Sequence, residues 1–327
     1  MGEFDLIAQY FQRPAALPSR AHQQVAQGIG DDCALLTPRP GMQLAISSDM
    51  LVEGRHFLST VSPQSLGHKA LAVNLSDLAA CGAQPVAFTL ALALPRIDAA
   101  WLQGFSEGLF ALADAHGCAL VGGDTTAGPL NICITVIGEV PSGRALLRGG
   151  AQPGDDIYVS GTLGDARLAL EVFRGNVTVD AAIFDAARQR MERPTPRVAL
   201  GVALRGIATS AIDISDGLLG DLAHILQASQ CGADIAIDSV AACAAFQRSE
   251  HIFSLLFCRQ MTAAGGDDYE LAFTAPAVQR AAVAAAAVHA ATPVQRIGSI
   301  TAKRGLVLRD AAGAVVDNTF ASFDHFK

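Results

Sequence analysis

The chain has 327 residues, a length that predicts about two domains. Hydrophobic residues make up 51% and charged residues 17%, which supports a packed core and excludes a disordered chain. The net charge is −8, and lysine occurs only at Lys69, Lys303 and Lys327 with arginine supplying the other 20 basic residues, which makes the chain a poor candidate for nonspecific nucleic-acid binding.

In chain order, residues 43–47 (QLAIS) read as a strand. Residues 63–81 read as a helix opened by Pro63 and stopped by Gly82. Residues 86–94 (VAFTLALAL) form the next predicted strand. Residues 98–116 read as a helix with Asp98 as N-cap, Leu102, Phe105, Leu109 and Leu112 on one side, and Gly117 as the stop. Residues 131–140 (NICITVIGEV) read as a strand. Pro, Gly and charge gather at 141–155, which predicts a boundary between domains 1–145 and 146–327. Beyond it come a strand at 156–160, a helix from Asp165, a helix near 196–208 and a strand at 209–214. A helix from Gly217 to Ser229 follows, then strands at 234–238 and 269–274. An alanine-rich helix at 276–290 precedes a last strand near 305–309. Strands and helices mixed in both halves predict two α/β or α+β domains.

Seven scattered cysteines without CxxC spacing argue against a zinc knuckle, a redox pair or a disulfide framework. Glu3, Asp5 and Arg13 interrupt the N-terminal stretch, so no signal peptide is expected. The apolar tracts fall short of the ~20 residues of a membrane span. A cytoplasmic protein is the expectation.

The Walker loop GxxxxGK[ST], the kinase HRD and DFG strings, GxGxxG, GxSxG and HExxH are all missing. Carboxylates instead recur beside glycines, hydroxyls and apolar runs. Asp31 and Asp32 follow Gly28-Ile29-Gly30, and Asp49 closes Ser47-Ser48-Asp49 after the strand LAI. Asp77 closes Asn74-Leu75-Ser76-Asp77 inside a mostly apolar helix. Asp124 lies in GGDTT, Asp213 and Asp216 flank Ile214-Ser215, and Asp267 and Asp268 follow Gly265-Gly266. A single Asp at a strand end is usually a turn former. Asp77 resists that reading, because Asp is a weak helix former and is rarely buried unpaired.

Oxygen donors without a matching His or Cys set suit a hard cation such as Mg²⁺. Mg²⁺ takes one or two carboxylates and completes its shell with water and phosphate, so six acidic clusters point to several ions around a polyphosphate. Two like charges ~4 Å apart cost about 4 kcal/mol at an effective dielectric of ~20. Two phosphorylated reactants brought together repeat that cost, which three lysines cannot offset and bound divalent ions can. Gly122-Gly123 and the SGTLGD run (160–165) are candidate phosphate-approach points, the latter equally an ordinary strand-to-helix turn.

The strings GIGDD (28–32), SSDMLVEGRHF (47–57), HKALAVNLSDLAACGA (68–83), GGDTT (122–126), PGDDIYVSGTLGD (153–165), PTPR (194–197), IDISDG (212–217) and GGDDYEL (265–271) resemble the thiamine-monophosphate kinase family in order and along the whole chain. The resemblance implies ATP-dependent phosphorylation of thiamine monophosphate to thiamine diphosphate. It also implies the two-domain PurM-like fold shared with aminoimidazole ribonucleotide synthetase and selenophosphate synthetase. In that superfamily the N-terminal domains of a homodimer pair into a β-barrel, with the active site in a cleft beside it.

Carried over by position, Asp32, Ser47, Ser48, Asp49, Asp77, Asp124, Asp213 and Asp216 correspond to magnesium ligands. Gly123, Asp124, Arg148 and Ser215 correspond to ATP contacts, and His56, Asp267 and Phe323 to the thiamine-phosphate side. Without the resemblance, His56 reads as a strand-end surface histidine and Arg148 as a solvated loop arginine. Three positions depart from the family pattern. Asp267 stands where Glu is common, Phe323 precedes DHF where Tyr or Trp is frequent, and Ala127 follows GGDTT where Arg is usual. No catalytic His–Asp pair is apparent, consistent with metal-assisted transfer that needs no general base. The competing readings are another ATP-dependent enzyme of the superfamily, a metal-dependent phosphohydrolase, and a non-catalytic binding protein whose acids form turns.

Overall fold

The structure, a computed structural model, describes residues 2–12, 24–240 and 253–320. The chain divides into two compact units, Met1–Leu78 with Ala83–Gly143, and Ala79–Gly82 with Arg144–Lys327. Both mix helices and sheet, as the sequence expectation of two α/β or α+β domains requires.

The first unit starts with helix α1 (Glu3–Tyr10) and the short paired strands β1 (Val25–Gln27) and β2 (Leu35–Leu36). Its main sheet has the order β3-β6-β4-β5, built from β3 (Met42–Val52), β4 (Gln84–Leu94), β5 (Ala119–Ala127) and β6 (Asn131–Pro141). Period-two alternation buries Phe88, Leu90, Leu92, Ile132, Ile134 and Val136 on one face. Helices α2 (Pro63–Ala80) and α3 (Ala99–His116) supply Leu71, Leu75, Leu102, Phe105 and Leu109 to the same core. Each such side chain contributes about 1.5–3 kcal/mol on burial.

Asp98 caps α3 by accepting the Ala100 and Trp101 amides at 3.1 Å, and Gly117 ends it in the left-handed region at φ 60°. The two helices approach so closely that a Cβ on Gly108 would lie 1.8 Å from the Gln64 carbonyl oxygen, and one on Gly67 2.0 Å from that of Phe105. Glycine is therefore dictated at this crossing by backbone contact.

In the second unit seven strands run in the order β13-β12-β9-β11-β7-β10-β8. They are β7 (Asp155–Ser160), β8 (Ser210–Asp213), β9 (Gly232–Ala236), β10 (Leu271–Pro276), β11 (Val294–Thr301), β12 (Gly305–Arg309) and β13 (Val315–Val316). All neighbours pair antiparallel except β12 with β9. Helices α4 (Asp165–Phe173), α5 (Ala181–Glu192), α6 (Val198–Ala203), α7 (Leu218–Ser229), α8 (Leu255–Ala264) and α9 (Arg280–His289) complete it. Ile157, Val159, Ile212, Ile214, Leu222, Ile225 and Ile235 form the main core, and α4 and α5 share a second cluster around Leu168 and Met191.

Several elements differ from the sequence expectation. α1, β1, β2, β5, β11, β13 and α5 lie outside the sequence expectation, and the helix expected near 196–208 is only Val198–Ala203. The alanine-rich helix starts at Arg280 after a short 3₁₀ turn. Asp49 is interior to β3 rather than just past a strand, because cross-strand pairing with β6 continues through Val52. None of the described cysteines forms a disulfide, and among the described residues no helix is long and apolar enough to cross a membrane.

The Asp156 carboxylate on β7 is buried and receives Arg280 Nε at 2.6 Å and Arg280 Nη2 at 2.9 Å, together with Arg296 Nε. Its pKa falls from 3.8 to about 2, chiefly through the Arg280 hydrogen bonds. Because both arginines are about half exposed, Asp156→Asn is expected to cost about 1–2 kcal/mol at neutral pH. A depressed carboxylate pKa means that this contribution is complete above pH ~4 and is lost as pH falls through ~2. Urea unfolding from neutral to acid pH checks it: the gap between parent and variant should close on acidification. A constant gap would assign the loss to shape rather than charge.

Candidate functional site

In the first unit, β3 carries Ser47, Ser48 and Asp49, while α2 lies against it with Asn74 and Asp77, three residues apart and so on one helical face. Ser47 Oγ donates a short hydrogen bond to Asp77 Oδ2, and the Asp49 amide donates to Asn74 Oδ1 at 3.0 Å. Ser48 turns to the opposite side, with its hydroxyl 2.9 Å from that of Thr135.

Across the sheet, Asp49 pairs with Ile134, Ile134 with Leu90, and Leu90 with Gly123, which puts Gly123 in the same cross-strand row and Asp124 one row away. Three inter-strand spacings amount to about 14 Å. A single Mg²⁺ ion holds its oxygen ligands at ~2.1 Å, so two carboxylates that far apart along the sheet would not share one. Gly123 has φ +148°, and a Cβ there would sit 1.8 Å from the Leu90 carbonyl oxygen, so the sheet itself requires this glycine.

Asp32 is exposed, and its amide donates to Asp31 Oδ1 at 2.8 Å. His56 follows the turn after β3, and its Nδ1 accepts the Val52 amide at 3.0 Å. That bond assigns the neutral imidazole's proton to Nε2.

In the second unit, Asp213 ends β8 and is buried, with Ser215 and Asp216 in the turn leading to α7. Asp221, from the first turn of α7, gathers that turn: its Oδ2 accepts the amides of Ser215, Asp216 and Gly217 at 3.0, 3.1 and 3.1 Å. Burial, followed by repulsion from Asp216, pushes the Asp221 pKa up to about 7 against the pull of those amides.

Opposite runs the GGDDYEL segment. The Asp267 amide donates to the Ser215 carbonyl at 2.7 Å, and the Tyr269 amide to that of Ile214 at 2.8 Å. Asp267 and Tyr269 take left-handed φ values of 63° and 52°. Each such residue stores about 1–3 kcal/mol of strain, and a bulky residue like Tyr269 is a marked outlier there. Gly266 keeps the approach possible, since a Cβ on it would meet the Ser215 oxygen at 2.7 Å. Asp268 is buried, with Oδ1 accepting the Gly164 amide at 3.0 Å and no hydrogen-bond partner for Oδ2 among the described residues. Burial raises its pKa well above the ordinary carboxylate range.

Arg148 is exposed in the loop after β6, where its carbonyl accepts the Ser229 hydroxyl at 3.3 Å. Phe323 lies outside the described residues. Sequence reasoning gave no role to Asn74, Asp221 or Glu270, and placed Asp268 only among the acidic clusters. The i, i+3 spacing of Asn74 and Asp77 was the available signal for the first of them.

Among the described residues no three His, Cys, Asp or Glu side chains gather into one metal-binding group. The donors present are carboxylates and hydroxyls, a chemistry that fits Mg²⁺, which uses few protein ligands per ion.

Residues 30–140 match AIR synthase related protein, N-terminal domain, and residues 152–311 match the C-terminal domain of that family. A thiamine-monophosphate kinase of Escherichia coli (strain K12) is 47% identical over 328 residues, covering 99% of this chain and 98% of its own. Among solved structures, thiamine-monophosphate kinase from Stenotrophomonas maltophilia K279a superposes with a TM-score of 0.82 at 45% identity, over 90% of this chain and 92% of that one. AaThiL complexed with AMPPCP and TMP superposes with a TM-score of 0.77 at 28% identity, over 89% of each chain.

Asp221→Ala strips three amides of their acceptor and is expected to lower stability by about 1–3 kcal/mol. Hydrogen exchange at the amides of 215–217 should accelerate more than at those of β8. Unchanged exchange in that turn would show that other contacts hold it.

Proposed function

The chain belongs to the thiamine-monophosphate kinase family, and we propose on that premise that it passes the γ-phosphoryl group of ATP in line to a phosphate oxygen of thiamine monophosphate, breaking the bond to the β-phosphate and releasing ADP and thiamine diphosphate. The full-length likeness to the Escherichia coli enzyme, at 47% identity, carries this reading.

A phosphate monoester has a second pKa near ~6, so the acceptor oxygen is already largely anionic at neutral pH. No general base is needed, and the protein's task is alignment and charge compensation. Asp32, Ser47, Ser48, Asp49, Asp77, Asp124, Asp213 and Asp216 are the residues we assign to holding Mg²⁺. When bound, Mg²⁺ supplies the positive charge that screens the phosphates from one another.

Gly123, Asp124, Arg148 and Ser215 are assigned to ATP. Ser215 is suited to that role because the Asp221 carboxylate steadies its amide. His56, Asp267 and Phe323 are assigned to thiamine monophosphate. The Nε2 proton of His56 gives a donor for a phosphate oxygen, a role consistent with Nδ1 being occupied by the Val52 amide. At Asp267 the side chain is one methylene shorter than Glu, so its backbone placement carries more of the positioning.

The test is purified protein with ATP, Mg²⁺ and thiamine monophosphate, scored for thiamine diphosphate. Asp49→Asn and Asp124→Asn should each reduce turnover by at least about 100-fold with the fold intact. Near-normal activity in either variant at saturating Mg²⁺ would remove that residue from the scheme. Release of inorganic phosphate without thiamine diphosphate would replace the kinase reading with hydrolysis. Incubation with γ-labelled ATP alone should leave no stable label on the protein.

We further assign a cytoplasmic homodimer joined through the first unit. Supporting it, the 11-residue strand β3 lies at the sheet edge and exposes Leu44, Ile46, Met50 and Val52 along one face, with Ile46 64% accessible. An apolar stripe of this kind, broken by Ser48, calls for a covering surface. Ile46→Glu should therefore shift the mass measured by light scattering from two chains to one. A parent protein that is monomeric at micromolar concentration would overturn the assignment.

A further inference from the structure

Three sequence motifs have no ligand-binding role so far: SGTLGD at 160–165, PTPR at 194–197 and the end of GGDDYEL at 265–271. In the structure they converge on Glu270, whose side chain is completely buried. Ser160 Oγ donates to Glu270 Oε2, and Arg190 Nη2 donates to Oε1 at 2.7 Å. Arg197 forks across both oxygens, with Nε 2.7 Å from Oε2 and Nη2 on Oε1. The carboxylate fills the space beside Gly161, where a Cβ would meet Oε1 at 2.2 Å. The Ser160 hydroxyl also accepts the Leu271 amide at 2.8 Å, locking the strand that leaves the segment. One residue pair away, Asp268 ties the segment to the Gly164 amide.

Buried ion pairs add little net stability over apolar residues of the same volume, but they admit few alternative geometries. Here the geometry concerned is unusual. Just upstream of Glu270 the backbone holds two left-handed residues, Asp267 and Tyr269, and bonds across to Ile214 and Ser215, while the Glu270 carbonyl accepts the Ile214 amide at 2.8 Å. Asp267 stands at the end of that run. Arg190 and Arg197 are met by Glu270 and by Asp165, which lies 3.8 Å from Arg190.

We propose that Glu270, clamped by Arg190, Arg197 and Ser160, is a positioning residue that holds Asp267 in its left-handed conformation against Ser215 and so sets the affinity for the phosphate acceptor. The proposal rests on the assignment of Asp267 to thiamine monophosphate. Glu270 itself touches neither reactant. It acts through the backbone of 267–270, and the PTPR arginine acts through Glu270.

The test combines amide exchange with a double-mutant cycle on the full chain. In Glu270→Gln, the amides of Asp267 and Tyr269 should exchange at least about tenfold faster, with those of β7 unchanged. The KM for thiamine monophosphate should rise about tenfold with a smaller change in kcat. Introduced into Asp267→Asn, the same substitution should cost less than about twofold. Arg197→Lys keeps a cation but gives up the fork; it is measured in the same way and should move each quantity in the same direction, which covers a Glu270→Gln protein that fails to fold. Unaltered exchange at 267 and 269, or equal losses in both backgrounds, overturns the proposal. A parent protein that forms no thiamine diphosphate would defeat the kinase reading alone, since the exchange measurement needs no turnover and still decides whether Glu270 positions the segment.

Discussion

A carboxylate withdrawn from water has to be met by cations or by amide and hydroxyl hydrogens, and the second unit is organised around one carboxylate treated in this way. Two guanidiniums and a hydroxyl reach Glu270 from α5, from the segment entering α6 and from β7. Ser160, the 190–197 stretch and Glu270 are distant from one another in sequence, so satisfying one side chain fixes three stretches of chain to a common point. Other acids in the unit use different means. Asp156 relies on paired arginines at the sheet, and Asp221 on the three amides of the turn before α7. The turn that carries Ser215 and Asp216 and the segment that carries Asp267 thus inherit their shapes from buried acids that have no assigned ligand.

Local chemistry made much of the fold legible in advance. The cap at Asp98, the apolar stripe of α3 and the stop at Gly117 are all encoded within 20 or so residues, and the long alternating run of β6 is likewise readable. What escaped depends on distant partners. ALVGGDTTA carries two glycines and an aspartate, poor strand formers, and becomes β5 through parallel pairing with β4. β11 contains Gly298 at a register shift against β7, which breaks its alternation. α5 is polar along much of its length and gains its apolar contacts from α4.

The candidate site divides in the same way. Residue types and order pointed to carboxylate-rich, oxygen-donor chemistry, and the chain's relatives bear out the family resemblance. The sequence does not announce that Asp49 lies inside a strand, or that Asp267 takes a left-handed backbone, because both follow from hydrogen bonds to segments far away. The glycines give a further lesson. Gly123 beside Asp124 looks like a point of phosphate approach, yet the Leu90 carbonyl already forbids a side chain there. Gly161 in SGTLGD is likewise fixed by the Glu270 carboxylate. Neither residue is evidence for a ligand on its own.

The sheet order of the first unit has a consequence for how the chain is made. β3 pairs with β6, and its last residue Val52 has to wait for Asn131. At ~5–20 residues per second, the ribosome needs roughly 4–16 s to deliver that partner, and longer to clear it from the exit tunnel. Throughout that interval Leu44, Ile46, Met50 and Val52 travel on a nascent strand without its ladder. Chaperone occupancy early in translation, and inclusion bodies when synthesis outruns it, are the natural companions of this topology.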